Sequence, residues 1–193
     1  MSCRLVNTAP TPAWPPPDSA RRRLEIAAIS LTAERGADEL TVEAICRRAD
    51  EPHDSFFAEF ADVDSCLLAA VDRGVEAVSA RTDAAARDGE PRAVVTQVLL
   101  CLSAEPALAR VALRDIGTLG RAGQARREQL IQNVSRGITT AAATEHEDPP
   151  AMLGTMVAGG LAEVAVRWAS SPQPPDAEEI ADQLLALWAP WLG

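Results

Sequence analysis

The stretch of residues 41–60, TVEAICRRADEPHDSFFAEF, constrains the fold of this chain more than any other. Its first part carries apolar side chains at helical spacing, which predict the buried face of a short helix: Val42, Ile45 and Ala49. Residues 50–54 hold a proline and three acids, which favour a turn. Ser55 suits the first turn of a second short helix. Two helices joined by such a turn form the unit that places its second helix in the DNA major groove.

The segments on either side of this unit carry further motifs. RRRLEIAAISLTAERGADELTVEAICRRAD at residues 21–50, SFFAEF at residues 55–60 and LLAAVDRG at residues 67–74 together resemble the N-terminal part of TetR-type bacterial transcriptional regulators. The resemblance implies an all-α fold of about nine helices. A three-helix helix-turn-helix DNA-binding domain would occupy residues 19–64, and a helical ligand-binding and dimerisation domain would occupy residues 65–193.

The resemblance also implies a function. The protein is expected to bind operator DNA as a homodimer, to act as a repressor, and to be released by a small ligand. Thr41 keeps the family's residue at the start of the second helix, where a hydroxyl and helix N–H groups can meet a phosphate. For the arginines at 21–23, an ordinary solvated helix start is the alternative interpretation. The expected DNA-contacting residues are Arg21, Arg22, Arg23, Thr41, Arg47, Arg48, Pro52, His53, Ser55, Phe56, Phe57 and Glu59.

The charge of this unit is unusual for a DNA-binding protein. Residues 50–64 contain six acidic side chains and no arginine or lysine, and the chain carries a net charge of −10. Phosphate contacts come mainly from basic side chains and helix N-termini. The family usually has a tyrosine at Phe57, a lysine at Val63 and a glycine at Asp50, although aspartate tolerates the left-handed conformation. The alternative is therefore a dimeric ligand- or protein-binding module with this fold that has lost DNA binding, its acidity serving solubility.

The rest of the chain shows apolar residues at helical spacing between glycine and proline breaks. These predict helices at residues 63–89, 92–103, 107–116, 126–146, 151–170 and from 176 onward. By position in the resembled family, a ligand pocket would be lined by Val75, Val78, Leu99, Leu102, Leu113, Ile131, Val134, Met152 and Met156. Few ionisable residues fall on these inward faces, so a mostly apolar ligand is expected. The same side chains would also pack an ordinary closed core.

The last two predicted helices have more apolar surface than a small monomer easily covers. Pairing them with the same helices of a second chain would form a four-helix interface around a two-fold axis. The predicted interface residues are Val157, Leu161, Val164, Trp168, Leu184, Trp188 and Trp191. The small residues Gly154, Ala158, Gly159 and Ala162 would allow a close approach of the helices. The alternative is that the tryptophans fill the core of a monomer.

Several classes of protein are not supported by the sequence. It has no phosphate-cradling glycine loop, no dinucleotide motif and no convincing catalytic set, so an enzyme or a cofactor is not expected. Four widely spaced cysteines and two histidines favour core thiols at Cys46 and Cys66 over a metal site. Free thiols fit a reducing cytoplasm, and no apolar run approaches the length of a membrane span. The proline-rich residues 1–18, with Trp14, predict a flexible arm.

Overall fold

The computed structural model describes residues 19–87, 89–145, 152–169, 171 and 176–192 of the chain. The predicted proline-rich arm at residues 1–18 lies outside this part, as do the side chains of Trp188 and Trp191. The described residues form helices and no strands. The predicted all-α class, with a three-helix N-terminal unit followed by a helical body, is confirmed.

Nine α-helices follow one another along the described ranges. They are α1 (Ala20–Arg35), α2 (Val42–Ala49), α3 (His53–Glu59), α4 (Val63–Arg87), α5 (Pro91–Ala104), α6 (Pro106–Leu113), α7 (Gly120–Glu145), α8 (Leu153–Ala169) and α9 (Ala177–Leu192). Short 3₁₀ turns lie at Ala37–Glu39 and Asp115–Leu119. Taken singly, each of these helices is too short or too polar to cross a membrane, whereas α5 and α6 reach the required length and hydropathy only as a pair bent by 108°.

Helices α1, α2 and α3 form the head, defined here as residues 19–60, and α4 to α9 form the body. The body is built on the two longest helices, α4 and α7, with α5 and α8 packed beside them. Helix α1 packs on α2 and α3 and also on α4 and α6, so it joins the head to the body. Buried aliphatic side chains such as Leu24 and Leu67 fill this junction.

The three described cysteines lie in the interior. This confirms the predicted core thiols at Cys46 and Cys66, which are 3% and 0% exposed. Burial raises the pKa of Cys66 to about 12. These thiols therefore pack as small apolar groups rather than as reactive thiolates.

The start of α7 differs from the sequence-based expectation. The sequence predicts a helix that begins at residue 126, whereas α7 begins at Gly120. A Cβ atom at Gly123 would lie 1.8 Å from the carbonyl oxygen of Ile116. The glycine thus permits the first turn of α7 to pack directly on the preceding 3₁₀ turn.

Helices α7 and α8 also approach each other closely. A Cβ atom at Gly154 would lie 2.3 Å from Thr139 Oγ1 and 2.6 Å from the carbonyl oxygen of Ser135. Gly154 was expected to admit a helix of a second protomer. It serves packing within one chain instead, whereas Gly159 faces open space.

A buried carboxylate lies in the junction between the head and the body. Glu25 is fully buried on α1, and its oxygens lie 3.3 Å from Arg21 Nε and 3.3 Å from Arg22 Nη1 on the same helix. From α4, Arg73 Nε donates to Glu25 at 2.8 Å and Arg73 Nη2 donates at 3.2 Å. A buried carboxylate is tolerated only when it is paired and hydrogen-bonded. Glu25 therefore ties α1 to α4 by charge as well as by apolar packing.

Replacing Glu25 by glutamine tests the contribution of this cluster. Glu25→Gln removes the charge that compensates the buried Arg22, so the free energy of unfolding is expected to fall by about 3–5 kcal/mol. Urea denaturation of the full chain measures this. The exposed Glu76→Gln on α4 is the control and should change stability by less than about 0.5 kcal/mol. A Glu25→Leu/Arg22→Met double variant should recover part of the loss, because an apolar pair carries no desolvation penalty. Equal midpoints for Glu25→Gln and the control would contradict this role.

Candidate nucleic-acid interface and ligand cavity

The turn between α2 and α3 is fully formed. Thr41 caps α2 by accepting a hydrogen bond from the N–H of Ala44 at 3.2 Å. Asp50 ends the helix in the left-handed conformation, with φ 55° and ψ 46°. The N–H of Glu51 donates to the carbonyl oxygen of Cys46 at 3.0 Å, which closes the helix end. The aspartate thus occupies the place of the usual glycine without loss of the turn.

Helix α3 presents one face to the core and one to solvent. Phe56 is fully buried and stacks edge-on against Phe57, with the ring centroids 5.5 Å apart. The prediction that Phe56 contacts DNA is therefore wrong, because its ring anchors α3 to the head's own core. Phe57 is 59% exposed. Four other predicted contact residues on or beside α3 are exposed, namely Pro52, His53, Phe57 and Glu59. Ser55 is half-buried.

The arginines of the head are mostly engaged within the protein. Arg21 Nη1 donates to the carboxylate of Glu59 at 3.3 Å, and its guanidinium lies 4.5 Å from the centre of the Phe60 ring. Arg23 binds Glu51, its Nε donating at 2.7 Å. Because these arginines already pair with acids of the head, DNA phosphates must compete for them.

The position of Arg22 contradicts the prediction that this residue contacts DNA. Its side chain is 3% exposed, and burial lowers its pKa to about 10 although Glu25 favours the charged form. A guanidinium enclosed between α1 and its neighbours cannot reach a phosphate. Arg22 is therefore a junction residue rather than a DNA contact.

A second basic surface lies between the end of α1 and α2. Arg35, Arg47 and Arg48 line a shallow depression there. Arg48 forms a two-pronged ion pair with Glu34, at 2.8 Å for each nitrogen. Arg35 and Arg47 are exposed and have no ion-pair partner among the described residues. In the sequence, Arg35 is recognisable only as a basic residue in the last turn of α1, so its position beside Arg47 was not predicted.

Two apolar cavities lie inside the body. Each has a volume of about 20 Å³, which is room for about one water molecule. Six of the nine predicted pocket residues line them, namely Val75, Val78, Leu102, Leu113, Ile131 and Val134. Leu99 is fully buried but lines neither cavity.

The predicted pocket residues on α8 are placed differently. Met152 and Met156 are 70% and 52% exposed, so they lie on the surface and line neither cavity. The opposite face of α8 supplies Ala158, Leu161 and Ala162 to the first cavity. Helical periodicity identified an apolar helix here but did not show which of its faces points inward.

The predicted dimer residues are also placed on the other face of their helices, turned towards the core. The predicted residues are at most 8% exposed and belong to the core of the single chain; they are Val157, Leu161, Trp168 and Leu184. Val164 is half-buried. The alternative interpretation, in which a tryptophan fills the monomer core, holds for Trp168. Among the described side chains of this region, the large apolar ones that are exposed are Met152 directly before α8, Met156 on α8 and Leu187 on α9, the last 71% exposed.

Charged side chains run from the second cavity towards α3. Glu105 lines that cavity, and burial raises the pKa of its carboxyl group while the charge of Arg22 lowers it. Arg22 binds Glu25, which also pairs with Arg21. Arg21 in turn donates to Glu59 at the end of α3. The cavity wall and the exposed helix of the head are thus joined by one series of ion pairs and Coulombic interactions.

The sequence matches no protein-family profile and no curated protein. Its fold does match solved structures. The fatty acid degradation regulator FadR from Bacillus halodurans aligns with a TM-score of 0.75 at 14% identity, over 90% of this chain and 95% of that one. A regulatory protein in the tetR family from Rhodococcus RHA1 aligns with a TM-score of 0.74 at 21% identity, over 91% and 97%. FadR from Bacillus subtilis in complex with stearoyl-CoA aligns with a TM-score of 0.72 at 16% identity, over 86% and 95%.

These matches define the class of architecture. The chain has the fold of TetR-family transcriptional regulators, so the resemblance read from residues 21–74 is confirmed at the level of the fold. The named neighbours are regulators rather than enzymes. Within the described ranges, no group of three or more histidine, cysteine, aspartate or glutamate side chains is arranged to hold a metal ion.

Substitutions at Asp50 test the turn between α2 and α3. Asp50→Gly should leave the free energy of unfolding unchanged or raise it slightly, because glycine adopts positive φ without steric cost. Asp50→Val should lower it by about 1–2 kcal/mol, because a β-branched residue is strained in the left-handed conformation. Urea denaturation monitored by circular dichroism measures both. Equal stability of the two variants would show that the turn does not require the left-handed conformation.

Proposed function

We propose that this protein is a homodimeric, TetR-like transcriptional regulator, acting as a repressor, that binds operator DNA and is released by a small, mostly apolar ligand. The observation that carries the proposal is an intact turn that presents α3 to solvent, on a body that contains apolar cavities. The head would supply the surface for DNA. The cavities, at about 20 Å³ each, mark the place where the body would have to open to admit the ligand. The ligand would act by favouring an arrangement of the two heads that does not fit DNA, since only differential affinity shifts such an equilibrium.

The proposed dimer uses the exposed faces of α8 and α9. Met152, Met156 and Gly159 recur at spacings of four and three residues, so they share one face of α8. Leu187 adds an exposed apolar side chain on α9, which contacts α8. Exposed apolar side chains grouped on neighbouring helices are typical of an interaction surface. Pairing this surface across a two-fold axis would set the two α3 helices about one DNA turn apart.

The second candidate is a dimeric ligand- or protein-binding module that has lost DNA binding. The charge of the head favours it: the predicted domain at residues 19–64 contains six arginines against eleven acidic residues. Ion pairs inside the head occupy Arg21, Arg23 and Arg48. The exposed Arg35 and Arg47 favour the regulator, because an exposed arginine without an acidic partner is free to bind phosphate.

Fluorescence anisotropy separates the two candidates. The full chain is titrated into labelled DNA from the region flanking its own gene, first at low salt and then at rising salt, with scrambled DNA in parallel. A regulator should bind the first DNA more tightly, and its affinity should fall steeply with salt through counterion release. If the folded chain binds the flanking DNA no more tightly than the scrambled control, the result would favour the module.

The variant Arg47→Ala, measured in the same anisotropy assay, tests whether Arg47 contacts a DNA phosphate. Loss of one phosphate contact should weaken binding to all DNA sequences and reduce the slope of log affinity against log salt by about 0.9. Arg92→Ala is the matched control, because Arg92 is exposed on α5 and pairs with Asp182 of α9. An unchanged salt slope for Arg47→Ala would remove Arg47 from the interface.

A further inference from the structure

The side of α3 that points away from the protein is defined by the two phenylalanines that the head buries. Phe56 on α3 and Phe60 directly after it are 0% and 5% exposed and lie four residues apart on one side of the helix. An α-helix turns by about 100° per residue, so the positions two residues before and two residues after Phe56 lie about 160° away from it. These positions hold Asp54 and Ala58, which are both exposed. The two residues form the outermost part of α3, called here the outer ridge.

The carboxylate of Asp54 differs from its acidic neighbours in having no partner. Glu51 before α3 binds Arg23, and Glu59 at the end of α3 accepts a hydrogen bond from Arg21 at 3.3 Å. Within the described ranges of the chain, the Asp54 carboxylate forms no ion pair and no hydrogen bond. Asp54 therefore presents an unused hydrogen-bond acceptor on the outer ridge.

The outer ridge lacks the groups that recognise guanine. Arginine and lysine read guanine in the major groove, because they donate to its N7 and O6 acceptors. Helix α3 contains neither of these residue types. The side chains of α3 that can donate are His53 and Ser55, which lie about 60° and 100° from Phe56 around the helix axis. They therefore flank the outer ridge and do not form part of it.

A carboxylate discriminates among the bases because it can only accept hydrogen bonds. In the major groove, cytosine presents its N4 amino donor, whereas guanine presents two acceptors and thymine presents an acceptor and a methyl group. Adenine has an amino donor, but its N7 acceptor lies beside that donor and would face the second carboxylate oxygen. Asp54 therefore fits cytosine. The other three bases place a lone pair against a negative charge, so selectivity arises from repulsion as well as from attraction.

Ala58 supplies an apolar contact beside this acceptor. Its short side chain suits the C5 methyl group of thymine, which is the apolar feature of the major groove. Asp54 and Ala58 are four residues apart, so their Cα atoms are separated by about 6 Å along the helix axis. Successive base pairs are about 3.4 Å apart along DNA. The two contacts therefore fall within about two base pairs of each other.

We propose that α3 reads a cytosine through the carboxylate of Asp54 and, within about two base pairs, a thymine through the methyl group of Ala58. This readout rests on the proposed function, because it requires a head that enters the major groove. Neither residue belongs to the DNA contacts predicted from the sequence. The readout also gives the acidity of α3 a role: the carboxylate lowers affinity for DNA in general and rejects the wrong bases, while exposed arginines such as Arg47 bind the phosphates.

Selection from a library of duplexes with a random central segment, followed by sequencing, tests the readout with the full chain. The native chain should enrich a motif with a C·G pair in each half-site. Asp54→Asn should replace that pair by A·T, because an asparagine amide donates to N7 of adenine and accepts from its N6 amino group. Asp64→Asn is the matched control, since Asp64 is exposed in the first turn of α4 and the variant removes the same charge away from the outer ridge. The control should keep the C·G pair.

Fluorescence anisotropy on the selected duplex gives the size of each contact. The native chain should bind it about tenfold more tightly than the duplex in which A·T replaces the C·G pair, and Asp54→Asn should reverse this preference. Both charge-removing variants should bind scrambled DNA more tightly at low salt and by similar factors, because each removes one negative charge from the head.

The thymine contact is tested by changing the DNA. Deoxyuridine in place of the thymine removes only the C5 methyl group, which should weaken binding of the native chain several-fold. Ala58→Gly should bind the two duplexes equally, because it lacks the methyl group that makes the contact. This comparison is made within one variant, so it is independent of any loss of helix stability caused by the glycine.

The outcomes distinguish this readout from the proposed function. Enrichment of the same base pairs by the native chain, Asp54→Asn and Asp64→Asn would overturn the readout and leave DNA binding intact. Equal binding of thymine and deoxyuridine by the native chain would overturn the role of Ala58. Enrichment of no motif by the folded native chain would refute the proposed function, and the readout with it.

Discussion

The burial of the Glu25 carboxylate constrains the arrangement of the head on the body. A charged group with no exposed surface must be surrounded by partners, and here two of them come from α1 and the third from α4. Because α1 also packs on α2 and α3, the cluster holds the whole head in one orientation on the helices that line the cavities. Any rearrangement of α1 against α4 must therefore move Glu25 and Arg73 together or break a buried ion pair.

For the proposed ligand, this constraint would give a physical route from the cavities to the head. Helix α4 lines both cavities through Val78 and also carries Arg73. The series from Glu105 to Arg22, Glu25, Arg21 and Glu59 ends on the last residue of α3. A ligand that displaces α4 or α6 changes the environment of these charges and so biases the position of α3. Coupling of this kind requires two arrangements of the junction with different ligand affinities.

The acidity of the head would weaken the proposed DNA binding without excluding it. The ion pairs of Arg21 and Arg48 lie partly or fully in solvent, where such pairs contribute little to stability. A phosphate can therefore replace Glu59 or Glu34 as the partner at small cost, whereas it cannot replace Glu25 as the partner of Arg22. Among the arginines at 21–23, Arg21 would therefore be available to the proposed DNA contact, whereas the buried Arg22 would not.

The sequence predicted the helices and the turn well because periodicity and capping are local properties. Thr41, Asp50 and the spacing of Val42, Ile45 and Ala49 determine the second helix without reference to the rest of the chain. Burial of one face against another is not local. An apolar helix such as α8 shows no polar side that would identify its solvent face. Met156 was therefore predicted to line the pocket, although it is exposed, and Leu161 was predicted to lie at the dimer interface, although it is buried. Arg22 was likewise placed in solvent, because the burial of its partner Glu25 depends on Arg73 of α4, which lies 48 residues from Glu25 in the sequence.

The proposed function requires that the head binds DNA. Selection of bound fragments from the protein's own sheared genome, using the full-length chain at low salt and sequencing of the recovered DNA, tests this. We expect enrichment of fragments that share a two-fold symmetric site, with half-sites about one DNA turn apart or slightly more. Recovered fragments with the same composition as the input, from protein that is folded and dimeric, would contradict it and leave a dimeric ligand-binding module with the fold of a regulator.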